Sequence, residues 1–539
     1  MHDIRIFFSC PSVVYGATYR GAHEQEKKMY GVYLSTVPCY LDSYIKVKNP
    51  KLYTKLFWSK ISITTWNQQQ IVDYVIDNKC NVLCFSVYHW NRNTIKEVTR
   101  DLKNKIPHEV IVIVGGPSIE AHGLYDWQKD YQDADYAVFS DGEKAFHDIL
   151  CHHFDYQSLN ILNTNNLLWR KNDKIQKAPA AYVKNTVWSP YLESSHLLRQ
   201  MADDPEYHNY ELEISYETSR GCPYSCSFCD WTSGLGPTTV KRKVDYQAEL
   251  DLFVTLGITQ LHISDANFGQ WPIDLEIATY MAKVLPPNHI KTQPPNLSKN
   301  KKDRAYKIQE IWLEAGVCES GKFSVQDIDP VVLSNIDRPD IPWEEHKKYI
   351  RHINSRFPDR GHYLECMKGL PGQTRQTWKH LIREAFQLNL ILEAYTWILI
   401  PNSPAMHDPE YIKKFNIKTR SVKYTGHDIV SSSFSFNELD LAFMTFTQIT
   451  YRMLRWFGVS LEEFDEFNNN IPVPWEKKHY LTILTSMYSI GTVPPDTTTK
   501  ILQEVFRDHK LSEKYHQHYA EFVNDPTIIH RQNSLGGVA

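Results

Sequence analysis

The chain has little cysteine, ten in 539 residues, too sparse for a disulfide scaffold. Neither sign of charge is in strong excess. Lys and Arg number 59 against 63 Asp and Glu, a formal net charge of −4, so no broad footprint for duplex nucleic acid exists, although a local basic groove is allowed. No apolar run approaches the ~18 residues of a membrane-spanning helix, and Met1 is followed by His-Asp-Ile-Arg rather than a secretion signal. Internal repeats and low-complexity blocks are also missing. What is abundant is apolar and aromatic: 42% and 13% of residues, too many for a disordered chain. At roughly 150 residues per domain the length implies about three to four structural units. A soluble cytoplasmic enzyme is expected.

The N-terminal region alternates strand-like and helix-like segments. Residues 4–8, 82–85, 110–114 and 136–139 read as short buried strands. Ile71, Val72, Val75 and Ile76 share one helical face, as do Ile95, Val98 and Leu102, and then Phe146, Ile149 and Leu150. Such alternation predicts right-handed crossovers and a parallel, Rossmann-like sheet. Ligands of these sheets bind beyond the carboxyl ends of the strands, here loops 9–16, 86–91, 115–118 and 140–143. Ser86, Gly115 and Gly116 are the candidates there. The two glycines let backbone approach a bulky cofactor, or simply pack closely.

Seven cysteines are scattered and read as small buried hydrophobes. The other three are bunched in Cys222-Pro223-Tyr224-Ser225-Cys226-Ser227-Phe228-Cys229. A zinc site would want a fourth ligand, yet the next cysteine is Cys318 and the nearest downstream histidine is His262. Three thiolates suit a 4Fe-4S cluster with one iron left open. Strand and helix alternate again after this loop, with strands read at 213–218, 260–264, 323–326, 362–367 and 394–400. About six β/α repeats over 211–405 fit a partial barrel, in which carboxyl strand ends tend to be functional.

Residues 219–231, with Phe228 just before the last cysteine, resemble the cluster motif of the radical S-adenosylmethionine (radical SAM) superfamily. The resemblance continues at Asp265-Ala266-Asn267-Phe268-Gly269, at Ser324-Val325-Gln326-Asp327, and at Lys368-Gly369-Leu370-Pro371-Gly372-Gln373. The N-terminal half resembles the cobalamin-binding domain that precedes the barrel in one large subgroup, through Phe85-Ser86-Val87-Tyr88 with Trp90-Asn91, Gly115-Gly116-Pro117 and Asp141-Gly142-Glu143. Trp188-Ser189-Pro190-Tyr191-Leu192 resembles that subgroup's linker. The likeness covers about residues 1–410.

The resemblance implies that Cys222, Cys226 and Cys229 hold three irons of a 4Fe-4S cluster and that S-adenosylmethionine chelates the fourth. One electron then cleaves the sulfonium, giving a 5′-deoxyadenosyl radical that abstracts hydrogen from substrate. By family analogy Phe228 contacts the adenine. Asp265 and Asn267 stand where the family holds the amino group or ribose, their alternative being to cap a loop. Gln326 and Glu365 point from strand ends toward the cavity. Cobalamin carries a methyl group between the two domains. The loop after the first strand lacks the Asp-x-His-x-x-Gly cobalt ligand of many cobalamin proteins, and the lone His23 reads as solvated.

The expected architecture is thus α/β. A Rossmann-like cobalamin-binding domain spans 1–155, a linker 156–210, a partial (β/α)6 radical SAM barrel 211–410, and a helical C-terminal cap over the barrel mouth 411–539. Phe443, Phe446, Ile449, Met453 and Phe457 recur at helical spacing in that cap. The charge run 299–304 reads as a solvated loop and the tail from 532 as mobile. The leading function is a cobalamin-dependent methyltransferase fed by an external electron donor of flavodoxin or ferredoxin type. Alternatives are a cyclisation or rearrangement, a methylthiolation using Cys10, Cys39 and Cys80 for a second cluster, and a zinc- or cluster-stabilised binding protein.

Overall fold

The computed structural model describes residues 4–519 except 11–30, 63–65, 89–90, 108, 120–130, 155–162, 172–173, 183–186, 209, 233–236, 291–302, 339–340, 401, 424–426, 472, 509–513 and 516–517. Of the sequence expectations, those on His23, Trp90, residues 299–302 and the tail from 532 lie outside the described residues.

The N-terminal half contributes β1 (Ile4–Ser9), β2 (Gly31–Leu34), β3 (Leu56–Ser62), β4 (Val82–Ser86), β5 (Ile111–Gly115), β6 (Tyr136–Val138), β7 (Leu167–Lys171) and β8 (Lys174–Lys177). All but β2 form one sheet in the order β3-β1-β4-β5-β6-β7-β8. The first five are parallel, with Ile6 opposite Val82 and Val82 opposite Ile111. β7 and β8 add antiparallel strands beside β6. The strands Leu167–Lys171 and Lys174–Lys177, within the span 156–210 read from the sequence as a linker, therefore extend the sheet.

Side chains alternate across a strand, and each face has its own layer. Phe7, Leu83, Phe85, Val112 and Val114 meet Ile71, Val75, Ile95, Val98 and Leu102 of the helices Gln68–Asp77 and Arg92–Lys105. Ile6, Phe8, Val82, Cys84 and Ile113 meet the helices Val37–Lys48 and Glu143–Phe154. Cys39 is buried in the second layer and Cys80 in the first. The sheet separates them, so they cannot share a second cluster with Cys10, and the methylthiolation reading loses its ligand set.

Next come β9 (Glu211–Tyr216), β10 (Ser219–Cys222), β11 (Thr238–Lys241), β12 (Gln260–Ile263), β13 (Lys322–Gln326), β14 (His362–Lys368) and β15 (Leu390–Thr396). β10 and β11 pair antiparallel with each other, and the rest build two parallel sheets, β12-β9-β2 and β13-β14-β15. Residues 288–290 continue the wall beyond β12: Leu261 N donates to His289 O at 2.8 Å, and Ile290 N to Val317 O at 2.7 Å. The helices Trp343–Arg356 and Arg375–Gln387 bury Ile350, Ile353, Trp378 and Leu381 in one core with Leu364 and Cys366 of β14. The result is a partial β/α barrel.

Two details depart from the sequence reading. β2, from the N-terminal region, pairs with β9 and completes a barrel sheet. β15 starts at Leu390, four residues before the expected strand, because Asn389 (φ +52°) turns the chain directly out of the preceding helix. Beyond Thr396 the same apolar run changes partner: Leu399 N donates to Asp428 O and Val430 N to Trp397 O, both at 2.9 Å.

The hairpin β16 (Lys418–Ser421) and β17 (Asp428–Ser432) precedes the helices Glu438–Phe457, Leu461–Asn469, Val473–Ile490 and Pro495–Asp508. Phe443, Phe446, Ile449, Met453 and Phe457 are buried as expected. Glu438–Phe457 lies along the flank of the barrel rather than over its mouth. Gln448 Nε2 donates to Ala394 O at 3.0 Å and Tyr451 Oη to Leu390 O at 2.7 Å, so side chains satisfy carbonyls of the last strand, which a bare sheet edge would leave open. Among the described residues no helix is long and apolar enough to cross a membrane.

Candidate functional site

β9 leads through Glu217 and Thr218 into β10, which ends on Cys222 and pairs antiparallel with β11. Gly221 has φ +82°, and a Cβ there would stand 2.4 Å from the Thr238 carbonyl oxygen. Only glycine fits between Arg220 and Cys222. The following loop is clamped from two sides. Ser227 N donates to Ile336 O at 3.0 Å, and Ala405 N donates to Ser227 O at 2.9 Å. The Tyr411 hydroxyl lies 2.9 Å from Ser227 Oγ and 2.8 Å from Asn335 O.

Cys222 and Cys226 are buried, Cys229 is half-buried, and none is in a disulfide. Phe228 packs, partly buried, against the core of the second barrel sheet. Among the described residues no three His, Cys, Asp or Glu side chains converge on a single-ion position. A four-iron cluster is a wider object, in which each thiolate takes its own iron.

Asp265 and Asn267 follow β12, and the structure gives them different work. Asp265 Oδ1 accepts from Thr218 N at 2.6 Å and Ser219 N at 3.0 Å, and Oδ2 from Thr218 Oγ1 at 2.5 Å and Ser219 Oγ at 2.7 Å. With both oxygens engaged, Asp265 pins the entry to β10 instead of facing a cofactor. Burial pushes its pKa up against the pull of Lys241 and of these donors. Asn267 Nδ2 donates to Cys222 Sγ at 3.2 Å, while its Oδ1 is buried without a partner.

β13 shifts register between Ser324 and Gln326, and Gln326 takes φ +68°. A glutamine in left-handed backbone is strained, and such strain concentrates at functional sites. Glu365 is placed otherwise than expected: it sits in mid-strand, opposite Ser324, and accepts a hydrogen bond from that hydroxyl. Lys322 Nζ lies 3.3 Å from Glu365 and 3.6 Å from Glu393. Glu365 thus belongs to an ion-pair network in which the buried Lys322 is shared by two half-buried carboxylates. The two later motif segments also meet, since Gln373 Nε2 donates to Asp327 Oδ2 at 2.6 Å while its Oε1 accepts from Gly369 N and Leu370 N.

A cavity of about 270 Å³ lies at the carboxyl ends of β1, β4, β5 and β6. Ser86, Gly115 and Gly116 line it, as the sequence reading expects, and Phe8, Phe85, Ile113 and Phe146 make its walls apolar. Gly116 has φ +106°, and a Cβ would stand 2.8 Å from Val87 O and 3.1 Å from Ser86 Oγ. Asn91 braces the 86–91 loop by donating to Ser86 O at 2.9 Å and accepting from Tyr88 N at 2.8 Å.

The helix Val37–Lys48 and the 140–143 turn add to the wall, and the barrel side contributes Glu217, Arg220 and Ser264. Sequence reasoning assigned Arg220 no role. Its Nη1 lies 2.8 Å from Glu143 and 3.2 Å from Asp141, and its Nη2 lies 3.0 Å from Glu217. The guanidinium also stacks 5.0 Å from the Tyr40 ring centre. Burial works against charge on both Arg220 and Glu217, yet their opposite charges win: Arg220 is held well above its ordinary pKa and Glu217 below. Asn402 makes a second bridge between domains, donating to Pro117 O at 2.9 Å and Ile119 O at 3.3 Å. The available signal for Arg220 was a charged residue two places before the first cluster cysteine.

The B12 binding domain family matches residues 60–150. Over 368 residues the chain is 28% identical to the cobalamin-dependent radical SAM methyltransferase TokK of Streptomyces tokunonensis, covering 65% of this chain and 51% of TokK. The chain spans about half the length of the curated relatives it matches. The structure of TsrM, a radical S-adenosylmethionine methyltransferase of Kitasatospora setae with cobalamin and a [4Fe-4S] cluster bound, superposes with a TM-score of 0.58 at 12% identity, over 87% of this chain and 99% of TsrM. OxsB, a cobalamin-dependent S-adenosylmethionine radical enzyme, gives 0.57 at 12% identity, over 98% of this chain and 83% of OxsB. At these identities the solved structures speak for the fold. With the three-cysteine loop at the head of a partial barrel and a B12-type sheet set against it, the chain carries a B12 binding domain over residues 60–150 and is similar in sequence and fold to cobalamin-dependent radical SAM enzymes.

Proposed function

We propose that the chain is a cobalamin-dependent radical methyltransferase acting on a carbon of its substrate. Cys222, Cys226 and Cys229 hold a 4Fe-4S cluster, S-adenosylmethionine takes the open iron, and cobalamin occupies the space at the carboxyl ends of the N-terminal sheet. The observation that carries the reading is the shared wall: β10, which ends on Cys222, also closes the cavity lined by Ser86, Gly115 and Gly116.

The residues fit these groups. Gly116 lets its loop close against the Val87 backbone at the rim of the cavity, where any Cβ would clash, and the orphaned Asn267 Oδ1 offers a buried acceptor beside Cys222. When bound, the groups supply one-electron cleavage of a sulfonium and a methyl group carried on cobalt. The chain's own part is placement and exclusion of water. Asp265 fixes β10, Asn267 donates a hydrogen bond to the Cys222 sulfur, Phe228 anchors the loop to the barrel core, and Phe8, Phe85 and Phe146 give the cavity its apolar wall. Gln326 remains a candidate for S-adenosylmethionine, on the strength of its strained strand-end position. A flavodoxin- or ferredoxin-type protein in the cytoplasm is the proposed electron source.

The test is anaerobic reconstitution of the full chain followed by reduction with S-adenosylmethionine present. About four irons per chain, 5′-deoxyadenosine and a bound-cobalamin spectrum are expected, and methyl-labelled S-adenosylmethionine passes label to substrate carbon. A chain that takes up stoichiometric zinc and no iron, or yields no deoxyadenosine, overturns the proposal.

A further inference from the structure

We infer that Arg220 is a positioning residue that straps the N-terminal cavity to the cluster loop, so that filling the cavity is felt at Cys222. The inference deepens the proposed function and rests on it where it takes cobalamin as the occupant.

The geometry is asymmetric in a telling way. Arg220 sits on β10, separated from Cys222 only by Gly221, whose contact with Thr238 leaves no slack. Its guanidinium reaches to the opposite domain, where Asp141 and Glu143 form the turn into Glu143–Phe154. That turn and the first turns of that helix, through Gly142 and Phe146, line the cavity. On its own side Arg220 is held by Glu217, through Nε at 3.1 Å and Nη2 at 3.0 Å, and Tyr40 of Val37–Lys48 covers one face of the planar group. A fork held at both ends fixes direction as well as distance, which a flexible ammonium does not.

The local charge count supports a dedicated role. Three carboxylates, Asp141, Glu143 and Glu217, share one guanidinium, so Arg220 is the cation through which all three are drawn together across the two domains. Removing one partner of a buried pair leaves an uncompensated charge. Glu217 and Arg220 are themselves cavity wall. A bulky occupant therefore presses on the same residues that aim Cys222, and the pressure travels through side chains in direct contact, as coupling requires.

Amide hydrogen exchange on the full-length protein, with and without hydroxocobalamin, tests this. In the wild type hydroxocobalamin is expected to slow exchange by at least about tenfold at 140–146 and also at 219–222. In Arg220→Gln the slowing persists at 140–146 and is lost at 219–222, and the change that hydroxocobalamin makes in the electron paramagnetic spectrum of the reduced cluster is lost with it. Arg220→Lys, which keeps the charge without the fork, restores part of both. Should Arg220→Gln fail to fold, the double variant Asp141→Asn/Glu143→Gln cuts the strap from the other side while Arg220 keeps Glu217. Protection at 219–222 that survives either cut overturns the inference. If the wild type binds no hydroxocobalamin, the cobalamin reading falls instead. The strap is then judged on the cofactor-free protein, where the double variant must speed exchange at 219–222 by about tenfold and an unchanged rate refutes it.

Discussion

Replacing Gly221 by alanine is the sharpest test of how the cluster loop is built. Two costs are separable. The first is conformational: at φ +82° an alanine in left-handed backbone loses about 1–2 kcal/mol. The second is steric: the new Cβ would sit 2.4 Å from the Thr238 carbonyl oxygen, a backbone atom fixed by the β10–β11 pairing. Overpacking of this kind adds about 1–3 kcal/mol. The sum, about 2–5 kcal/mol, falls on a strand of only four residues. Gly257→Ala is the control, since Gly257 has φ +69° with nothing within 4 Å of its Cβ position, and so carries the first cost alone. Iron and sulfide per chain after anaerobic reconstitution are the readout. Gly257→Ala is expected to match the wild type, while Gly221→Ala falls well below half the iron content of the control. Equal iron in the two variants would refute the claim that the Gly221–Thr238 contact sets the position of Cys222.

Three further outcomes follow from the same geometry. Asn267→Ala removes a donor to the Cys222 sulfur; at about 1 kcal/mol per hydrogen bond, the one-electron cluster potential falls by about 40 mV, measured by redox titration, with iron content kept. Gly116→Ala places a Cβ against Val87 backbone at positive φ and weakens cobalamin retention by about tenfold, read from the visible spectrum, while the cluster assembles as before. Lys368 is buried against the neutral partners Thr445 and Gln448, and burial pushes its pKa down to about 7. Between about pH 7 and the ordinary lysine range the unfolded chain binds a proton that the folded chain does not, so this group makes stability rise with pH across that window, while below it the cost of the buried charge is constant. Lys368→Met is therefore expected to lose that rise. Urea midpoints at increasing pH should show the wild type gaining on the variant, and a constant difference would contradict the buried, neutral lysine.

The parallel strands were legible because both of their faces are buried, which writes them as unbroken apolar runs such as Val110–Val114 in sequence and β5 in space. The cysteine spacing was legible because cluster chemistry demands those residue types in one short loop. Partners were not. A carboxylate at 265 is visible in the sequence, but its four donors at 218 and 219 are brought to it only by the pairing of β9 with β12. Arg220 finds Glu143 at a separation of 77 residues. β2 is four residues long and joins a strand about 180 residues later, so no local periodicity could announce it. The start of β15 was hidden because only Leu388 and the left-handed Asn389 separate the helix from the strand.

The excursion of β2 means that the two cofactor domains are not modules in the sense of beads on a string. A fragment excised at residue 211 would lose the outermost strand of its own wall, and β9 would offer a row of unpaired amides to any passing chain. Shuffling either half onto a foreign companion would meet the same obstacle, because each half is finished only by the other.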